Sequence, residues 1–133
     1  MNFESKKVQM PIPQQAAYEY LSDLNNYQNL MPDNAEFSVH ESGNGFFVQL
    51  KGMPKVGLKL KETQAPDFIL FESPNDAFNY EMKVIISAVD DNASEAFIQF
   101  DGKFNPMVEM MAKKPLTTFI ETIADKLEKQ NFA

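Results

Sequence analysis

The chain has no cysteine, no tryptophan and only one histidine, His40, among its 133 residues. Without cysteine, disulfide bonds and thiolate metal sites are excluded. With a single histidine, a zinc site and Ser-His nucleophilic chemistry are poorly supported. Phe37 and Val39 alternate with His40 and are predicted to face inward, so His40 is expected to face outward into solvent.

The sequence also has no long hydrophobic run and no surplus of basic residues. Its longest aliphatic run, residues 84–89, is far too short to span a bilayer, and the first residues contain no apolar signal-peptide segment. The net charge of −7 argues against nucleic acids and anionic membrane surfaces as partners, because both are negatively charged. We therefore expect a cytoplasmic protein with no nucleic-acid partner and no membrane insertion, and we leave its oligomeric state open.

Two short polar motifs bear a slight likeness to ligand loops, and neither predicts a cofactor. Gly43-Asn44-Gly45 is too short for a phosphate loop and precedes a strand rather than a helix. Residues 90–92, Asp-Asp-Asn, lack the glycine and the terminal glutamate of a calcium loop. Both motifs are predicted to be turns, and no cofactor or metal is expected.

Phenylalanine and methionine are abundant instead, with 12 and 8 copies in a chain that is 44% hydrophobic. Large Phe rings and adaptable Met side chains can line a cavity as easily as they fill a core. The length fits one domain, predicted over residues 1–133, that can bury a core without disulfide bonds.

The first thirty residues predict a strand followed by two short helices. The strand covers residues 3–10 and ends at Pro11 and Pro13, because proline lacks the donor for a ladder hydrogen bond. Apolar residues at helical spacing then predict helices at about 13–23 and 24–30, with Pro32 closing the second.

Between Ala35 and Phe104 the hydrophobic pattern has a period of two, which predicts β-strands. The residues predicted to face inward are Phe46, Val48, Leu50, Val56, Leu58, Leu60, Phe78, Tyr80, Met82, Val84, Ile86, Ile98, Phe100, Gly102 and Phe104. Strand 68–73 is apolar on both faces, so its inward face stays open. The breaks at 42–45, 52–55, 65–67, 74–76 and 90–92 have hairpin length, which predicts a six-stranded antiparallel meander with the first strand at one edge.

The last segment, residues 105–130, predicts one long amphipathic helix. Asn105 is a favourable N-cap and Pro106 suits the first helical position. The predicted apolar stripe consists of Val108, Ala112, Leu116, Phe119, Ile123 and Leu127. Pro115 lies inside the helix and cannot donate to the carbonyl of Met111, so a kink is predicted near residues 112–115.

This combination predicts an apolar pocket. A helix about 10 Å wide cannot fill the whole concave face of a curved sheet, so large side chains or a ligand must occupy the rest. Met107, Met110 and Met111 point in several directions from the first turns of the helix. They either line the pocket, belong to the ordinary core or cover a loop.

The order of these segments resembles the START/Bet v 1-like superfamily, also called SRPBCC or polyketide cyclase/dehydrase-like. The similar stretches are the proline-led helix at 13–23 with Leu24-Asn25-Asn26, then residues 30–32, and later the 105–107 and 114–116 segments. The resemblance implies an α+β helix-grip fold: a seven-stranded curved antiparallel sheet around the C-terminal helix, with two short helices closing one end. Members bind sterols, lipids, plant hormones or polyketide intermediates, and some are cyclases or cochaperones.

We therefore predict that a hydrophobic or amphipathic small molecule, such as a lipid, isoprenoid or polyketide, binds in a cavity of several hundred Å³. The predicted ligand-binding residues are Leu30, Met31, Val48, Leu50, Leu58, Leu60, Phe78, Tyr80, Met82, Phe100, Phe104, Met107, Met110 and Met111. Leu30 and Met31 are expected near the entrance.

Two alternatives remain open, and no catalytic residue is assigned. A cyclase/dehydrase-type enzyme would use Tyr80, or an inward carboxylate at Glu72, as its acid or base. A protein-interaction module would use the outer helix or sheet surface. Lys113 and Lys114 are expected to be solvated or to attract the anionic head of a ligand at the pocket mouth.

Overall fold

The computed structural model describes residues 1–50, 55–74 and 78–132. The strands are β1 (Asn2–Glu4), β2 (Val8–Met10), β3 (Glu36–Val39), β4 (Gly45–Gln49), β5 (Lys55–Gln64), β6 (Phe68–Glu72), β7 (Asn79–Asp90) and β8 (Ala93–Lys103). The helices are α1 (Gln14–Ser22), a 3₁₀-helix (Leu24–Leu30) and α2 (Pro106–Glu128). The predicted α+β class is confirmed, while parts of the predicted breaks at 52–55 and 74–76 lie outside the described residues.

The strands form one curved antiparallel sheet in the order β1-β8-β7-β6-β5-β4-β3. From β3 to β8 each strand pairs with the next along the chain, so the predicted meander is confirmed. The hairpin turn between β3 and β4 contains Gly43 with a φ of +78°, a left-handed conformation that glycine adopts without steric penalty. As predicted, the first strand region lies at an edge, beside β8.

The first strand is divided, which corrects the prediction of one strand over residues 3–10. Glu4 pairs with Gln99 and Val8 pairs with Ala96, so three residues on one strand face two on the other. Such a bulge bends an edge strand. Ser5 bridges it, because its N–H donates to the Ile98 carbonyl at 2.8 Å and its hydroxyl accepts from the Ile98 N–H at 2.9 Å. Eight strands therefore occupy the predicted seven positions.

The period-two pattern correctly identified the inner face of the sheet. Tyr80, Met82, Val84 and Ile86 of β7 are all buried, as is the corresponding set of β8. The structure also shows which side chains of β6 face inward. Ile69 and Phe71 are buried, whereas Phe68, Leu70 and Glu72 lie on the outer face. Glu72 is therefore not an inward carboxylate.

Helix α2 begins as predicted. The Asn105 side chain accepts a hydrogen bond from the Val108 N–H at 2.9 Å, and Pro106 occupies the first turn. The helix continues through Pro115 without a break, so the kink stays a prediction. The predicted stripe is buried from Ala112 to Leu127, with Val108 half-buried, and it packs against the 3₁₀-helix, β2 and β8.

The two short N-terminal helices close the end of the sheet near the last turns of α2. The Tyr20 hydroxyl donates to the Gln130 side chain at 3.2 Å, and Lys126 forms an ion pair with Asp33. Tyr27 of the 3₁₀-helix is fully buried, and its hydroxyl donates to the Leu21 carbonyl at 2.8 Å. Among the described residues, no helix is long and apolar enough to cross a membrane.

Candidate functional site

An apolar cavity of about 180 Å³ lies between the sheet and the first half of α2. Strands β5, β7 and β8 form its floor and walls, and α2 forms its roof. The described residues that line it are Lys55, Val56, Phe78, Tyr80, Phe100, Phe104, Val108, Met111, Ala112 and Leu116. Since eight of these ten side chains are fully apolar, the cavity favours an apolar occupant.

The cavity is smaller than the several hundred Å³ that the sequence suggested, because aromatic rings fill the other half of the interior. The Phe46 ring lies 5.2 Å from the Tyr27 ring, 5.5 Å from the Phe71 ring and 5.4 Å from the Phe37 ring, measured between centroids. Tyr27, Phe46 and Phe71 are each at most 1% exposed. The open space of the cavity lies beyond this packed cluster, towards the start of α2.

Three aromatic rings form one wall of the cavity. Tyr80 stacks on Phe100 with 5.8 Å between centroids, and Phe104 lies 6.3 Å from Tyr80. Gly102 makes room for this arrangement, because a Cβ there would come within 2.6 Å of the Phe104 ring. The Phe104 ring can therefore lie where it does because residue 102, two positions earlier on the same face, has no side chain.

The Tyr80 hydroxyl forms a hydrogen bond with the protein backbone. It donates a hydrogen bond to the Gly57 carbonyl at 2.7 Å. Burial raises the pKa of Tyr80, so the phenol stays protonated at any ordinary pH. The side chain presents its ring to the cavity, and its polar atom is already satisfied by the backbone.

The mouth of the cavity is apolar and open to solvent. Phe78 is 42% exposed and Met111 is 72% exposed, and both also line the interior. Lys55 is exposed at the edge, and its Nζ lies 5.7 Å from the centroid of the Phe47 ring. Phe47 is on the outer face of β4, so this ammonium group points away from the cavity.

The structure brings five of the predicted ligand-binding residues together around the cavity: Phe78, Tyr80, Phe100, Phe104 and Met111. Six others are buried in the core away from its lining: Leu30, Met31, Val48, Leu50, Leu58 and Met82. Leu60 is half-buried against the same core. Met107 and Met110 are 73% and 81% exposed and also lie outside the lining. Whether any of these residues binds a ligand stays a prediction.

The expected position of the entrance requires correction. Leu30 and Met31 are only 0% and 3% exposed, because they belong to the packed core beneath the short helices. Those helices contact the C-terminal end of α2. The cavity instead opens near Met111, in the second turn of α2. The entrance and the short helices thus lie towards opposite ends of α2.

The lining also contains residues that were not predicted as ligand-binding: Lys55, Val56, Val108, Ala112 and Leu116. Val56 was predicted to face inward from its strand, and the three helix residues were predicted to belong to the apolar stripe of the C-terminal helix. Both signals were therefore present in the sequence. The missing information was which residues of the stripe border empty space and which contact packed side chains.

The remaining polar candidates lie on the outside of the sheet. His40 is exposed, as predicted, and its Nδ1 lies 2.8 Å from the Ser42 hydroxyl. Glu72 borders an outer depression in which Lys61 and Glu81 form an ion pair at 2.7 Å, and this contact raises the pKa of Lys61. No group of three His, Asp or Glu residues that could hold a metal ion occurs within residues 1–50, 55–74 and 78–132.

Comparison with known proteins gives matches to solved structures. No protein-family model and no curated protein sequence matches this chain. A START superfamily protein from Mycobacterium smegmatis has 16% identity and a TM-score of 0.65, with 96% of this chain and 94% of that chain covered. A protein from Thermus thermophilus has 16% identity and a TM-score of 0.68, with 97% and 95% covered.

A third similar structure is BexL, the di-domain ARO/CYC protein of the BE-7585A biosynthetic pathway. It has 10% identity and a TM-score of 0.66, with 96% of this chain but only 46% of that chain covered. At such low identities structural likeness establishes the fold alone. The chain has a START-like fold, in which a curved antiparallel sheet surrounds a long C-terminal helix, and the resemblance inferred from the sequence is confirmed at that level.

Proposed function

We propose that the protein binds a small hydrophobic or amphipathic molecule in the cavity between the sheet and the first half of α2. The observation that carries this proposal is a cavity of about 180 Å³ with an almost wholly apolar lining and an apolar mouth. Burial of apolar ligand surface, worth roughly 25 cal/mol per Å², would supply most of the affinity. START-like neighbours support the general type of site and leave the ligand unnamed.

The cavity volume limits the part of the ligand that enters. An apolar protein cavity of roughly 150 Å³ binds benzene, whereas sites for drug-sized ligands measure about 300–1,000 Å³. A single ring or a short alkyl chain therefore fits inside. The rest of a longer lipid, isoprenoid or polyketide would leave through the mouth beside Phe78 and Met111.

The polar part of an amphipathic ligand would also stay at the mouth. Among the described lining residues only Tyr80 and Lys55 carry polar side-chain groups. The Tyr80 hydroxyl is bonded to Gly57, and the Lys55 ammonium lies over Phe47 on the outer face. A buried polar group on the ligand would lack a partner and would weaken binding, so the apolar end is expected to enter first.

A cyclase-type enzyme is the second candidate, and the BexL likeness is the observation that favours it. General acid–base chemistry requires a titratable group within hydrogen-bond reach of the substrate. Tyr80 is the candidate inside the cavity, but its hydroxyl donates to a backbone carbonyl and its pKa is raised by burial. The described lining therefore supports binding better than catalysis. A protein-interaction role would leave the cavity without any ligand.

A ligand series tests the proposal. Purified protein would be titrated with monocyclic and bicyclic aromatics and with alkyl alcohols of increasing chain length, and binding would be followed by melting temperature and by amide chemical shifts in NMR. Ligand at about 100 times its Kd should stabilise the fold by about 2.7 kcal/mol. Ligands of one ring or one short chain should bind, with shifts centred on Val56, Phe100 and Ala112.

Two variants sharpen the test. Ala112→Phe should abolish binding, because Ala112 lines the cavity and a ring there would occupy it. Val108→Phe, at a half-buried lining position, is a second blocking variant if Ala112→Phe does not fold. Met110→Trp is the matched control and should leave binding unchanged, because Met110 is 81% exposed and outside the lining. If no ligand in the series raises the melting temperature, the proposed function is wrong.

A further inference from the structure

Three methionines on the first half of α2 are unusually exposed. Met107, Met110 and Met111 expose 73%, 81% and 72% of their surface. Their spacing of three and four residues places them on one side of the helix. Met10, Met31 and Met82 are, in contrast, at most 3% exposed. Contiguous exposed apolar side chains of this size mark interaction surfaces in soluble proteins. We call these three residues the methionine face.

The methionine face adjoins the cavity mouth. Met111 belongs to both, because it lines the cavity and is exposed on the helix. Phe78, which is 42% exposed, continues the apolar surface onto the sheet side of the mouth. Whatever covers the methionine face would therefore also lie against the entrance of the cavity.

The segment of the chain that carries the methionine face has a net charge opposite in sign to that of the whole chain. Residues 103–120 contain three lysines, at 103, 113 and 114, and one acidic residue, Glu109, which gives this segment a charge of +2 in a chain of −7. Glu109 itself lies 3.8 Å from the amino group of Met1. Lys103, Lys113 and Lys114 are all exposed. The later exposed positions of α2, such as Glu121 and Asp125, are acidic.

We infer that the methionine face docks onto the surface of an anionic lipid bilayer. The three Met side chains would enter the boundary between headgroups and acyl chains, and the lysines would contact anionic headgroups, as in interfacial amphipathic helices. This placement rests on the proposed function in one respect: it sets the cavity mouth against the bilayer, so that an apolar ligand passes between the two without crossing water.

The net charge of −7 does not oppose this contact strongly. At physiological ionic strength charges are screened over about 8 Å, so the bilayer senses mainly the residues that touch it. The expectation from composition averaged the charge over the chain, whereas Lys113 and Lys114 closely follow the methionine face on the same helix. Non-contacting acidic residues on the second half of α2 would orient the protein by facing away from the bilayer.

A second copy of the chain fits this surface less well. A two-fold symmetric contact places the same patch on both subunits, so Lys113 and Lys114 of each copy would approach their counterparts. Like charges brought together at an interface weaken association. An anionic surface instead complements these lysines, which is why a bilayer is favoured here over a dimer.

Vesicle co-sedimentation tests the inference. The protein should bind vesicles of phosphatidylcholine mixed with phosphatidylglycerol, and it should bind phosphatidylcholine vesicles much more weakly. Each lysine near an anionic surface contributes a factor of about five, so Lys113→Gln/Lys114→Gln should weaken binding about 30-fold. Lys59→Gln/Lys129→Gln makes the same change in net charge at exposed sites elsewhere and should bind almost as the original chain does.

A second variant separates docking from ligand binding. Met107→Gln/Met110→Gln should lose at least tenfold in vesicle affinity, because apolar insertion is removed. Both residues lie outside the cavity lining, so this variant should bind small apolar ligands unchanged. Vesicle binding that persists in this variant, or that falls equally in the Lys59/Lys129 control, would overturn the inference. So would a concentration-dependent dimer that Met107→Gln/Met110→Gln abolishes. Failure of ligand binding alone would overturn only the proposed function.

Discussion

Tyr80 and Gly57 are joined by a hydrogen bond of 2.7 Å between two strands that are not neighbours. Tyr80 is the second residue of β7 and Gly57 lies in β5, with β6 between them in the sheet. Strand β6 ends at Glu72, so the tyrosine reaches past its end to the β5 backbone. This contact joins β7 to β5 at the cavity wall, beyond the end of β6.

Removal of that hydroxyl tests its role. Tyr80→Phe should lower the free energy of unfolding by about 1–2 kcal/mol, because the Gly57 carbonyl loses its partner in a largely buried position. Binding of apolar ligands should persist, since the ring remains. Urea denaturation and ligand titration measure the two quantities. Loss of binding in a fully folded Tyr80→Phe protein would show that the hydroxyl contacts the ligand.

We expect the free energy of unfolding to fall at alkaline pH, because two tyrosines are buried in the folded protein. Burial is the main cause that raises the pKa of Tyr27 and of Tyr80 above their ordinary value of 10.0. Above about pH 10 the unfolded chain releases these protons while the folded protein keeps them. The unfolded state then binds fewer protons, so the free energy of unfolding falls by up to about 1.4 kcal/mol per pH unit for each tyrosine.

Urea denaturation between about pH 8 and pH 11 measures this slope. Below about pH 10 the contribution should be fully present, and above it the stability should decline. Tyr27→Phe should show a lower starting stability, because the hydrogen bond to the Leu21 carbonyl is lost, and a shallower decline at alkaline pH. Identical slopes in both proteins would contradict the assignment of this proton to Tyr27.

The N-cap of α2 gives a prediction about stability alone. Asn105→Ala should lower the free energy of unfolding by about 1 kcal/mol, because the Val108 N–H loses its acceptor. Asn105→Asp is the matched control and should retain the stability, since its carboxylate can accept the same bond and also interacts favourably with the helix N-terminus. Thermal denaturation distinguishes the two. Equal losses in both variants would mean that the cap contributes through another contact.

Gly102 connects sheet packing to the cavity. Gly102→Ala should lower the free energy of unfolding by about 1–3 kcal/mol, because the new Cβ overlaps the Phe104 ring at 2.6 Å. The ring also lines the cavity, so ligand affinity should fall as well. Gly45→Ala is the control: its Cβ would lie 2.6 Å from the Leu58 carbonyl oxygen, away from the cavity lining. It should destabilise the fold while the folded fraction binds ligand normally.

The architecture was predictable because each part of it has a local cause. Alternation in β4, β5, β7 and β8 identified the buried faces, and hairpin-length breaks implied antiparallel neighbours. Asn105 and Pro106 marked the start of α2. The division of the first strand was missed because it depends on Ser5 bonding to Ile98, a residue far away in the chain.

The cavity was harder to locate because its position depends on which interior space the side chains leave empty. Tyr27 comes from the 3₁₀-helix and fills the half near Phe46 and Phe71, which periodicity within a single segment does not reveal. The three methionines illustrate the same limit. Sequence shows that Met107, Met110 and Met111 are apolar, but only the packed structure shows that they face solvent. The prediction of a single domain over residues 1–133 is untested.

The pairing of the first strands with β8 affects how the chain is made. Val8 and Met10 pair with Ala96 and Ser94, which are synthesised only after every other strand of the sheet. A growing polypeptide that folds as it leaves the ribosome must therefore carry these two apolar side chains unpaired while β3 to β7 assemble. We expect chaperones that act on nascent chains to engage residues 2–10, and release from them to follow the emergence of β8.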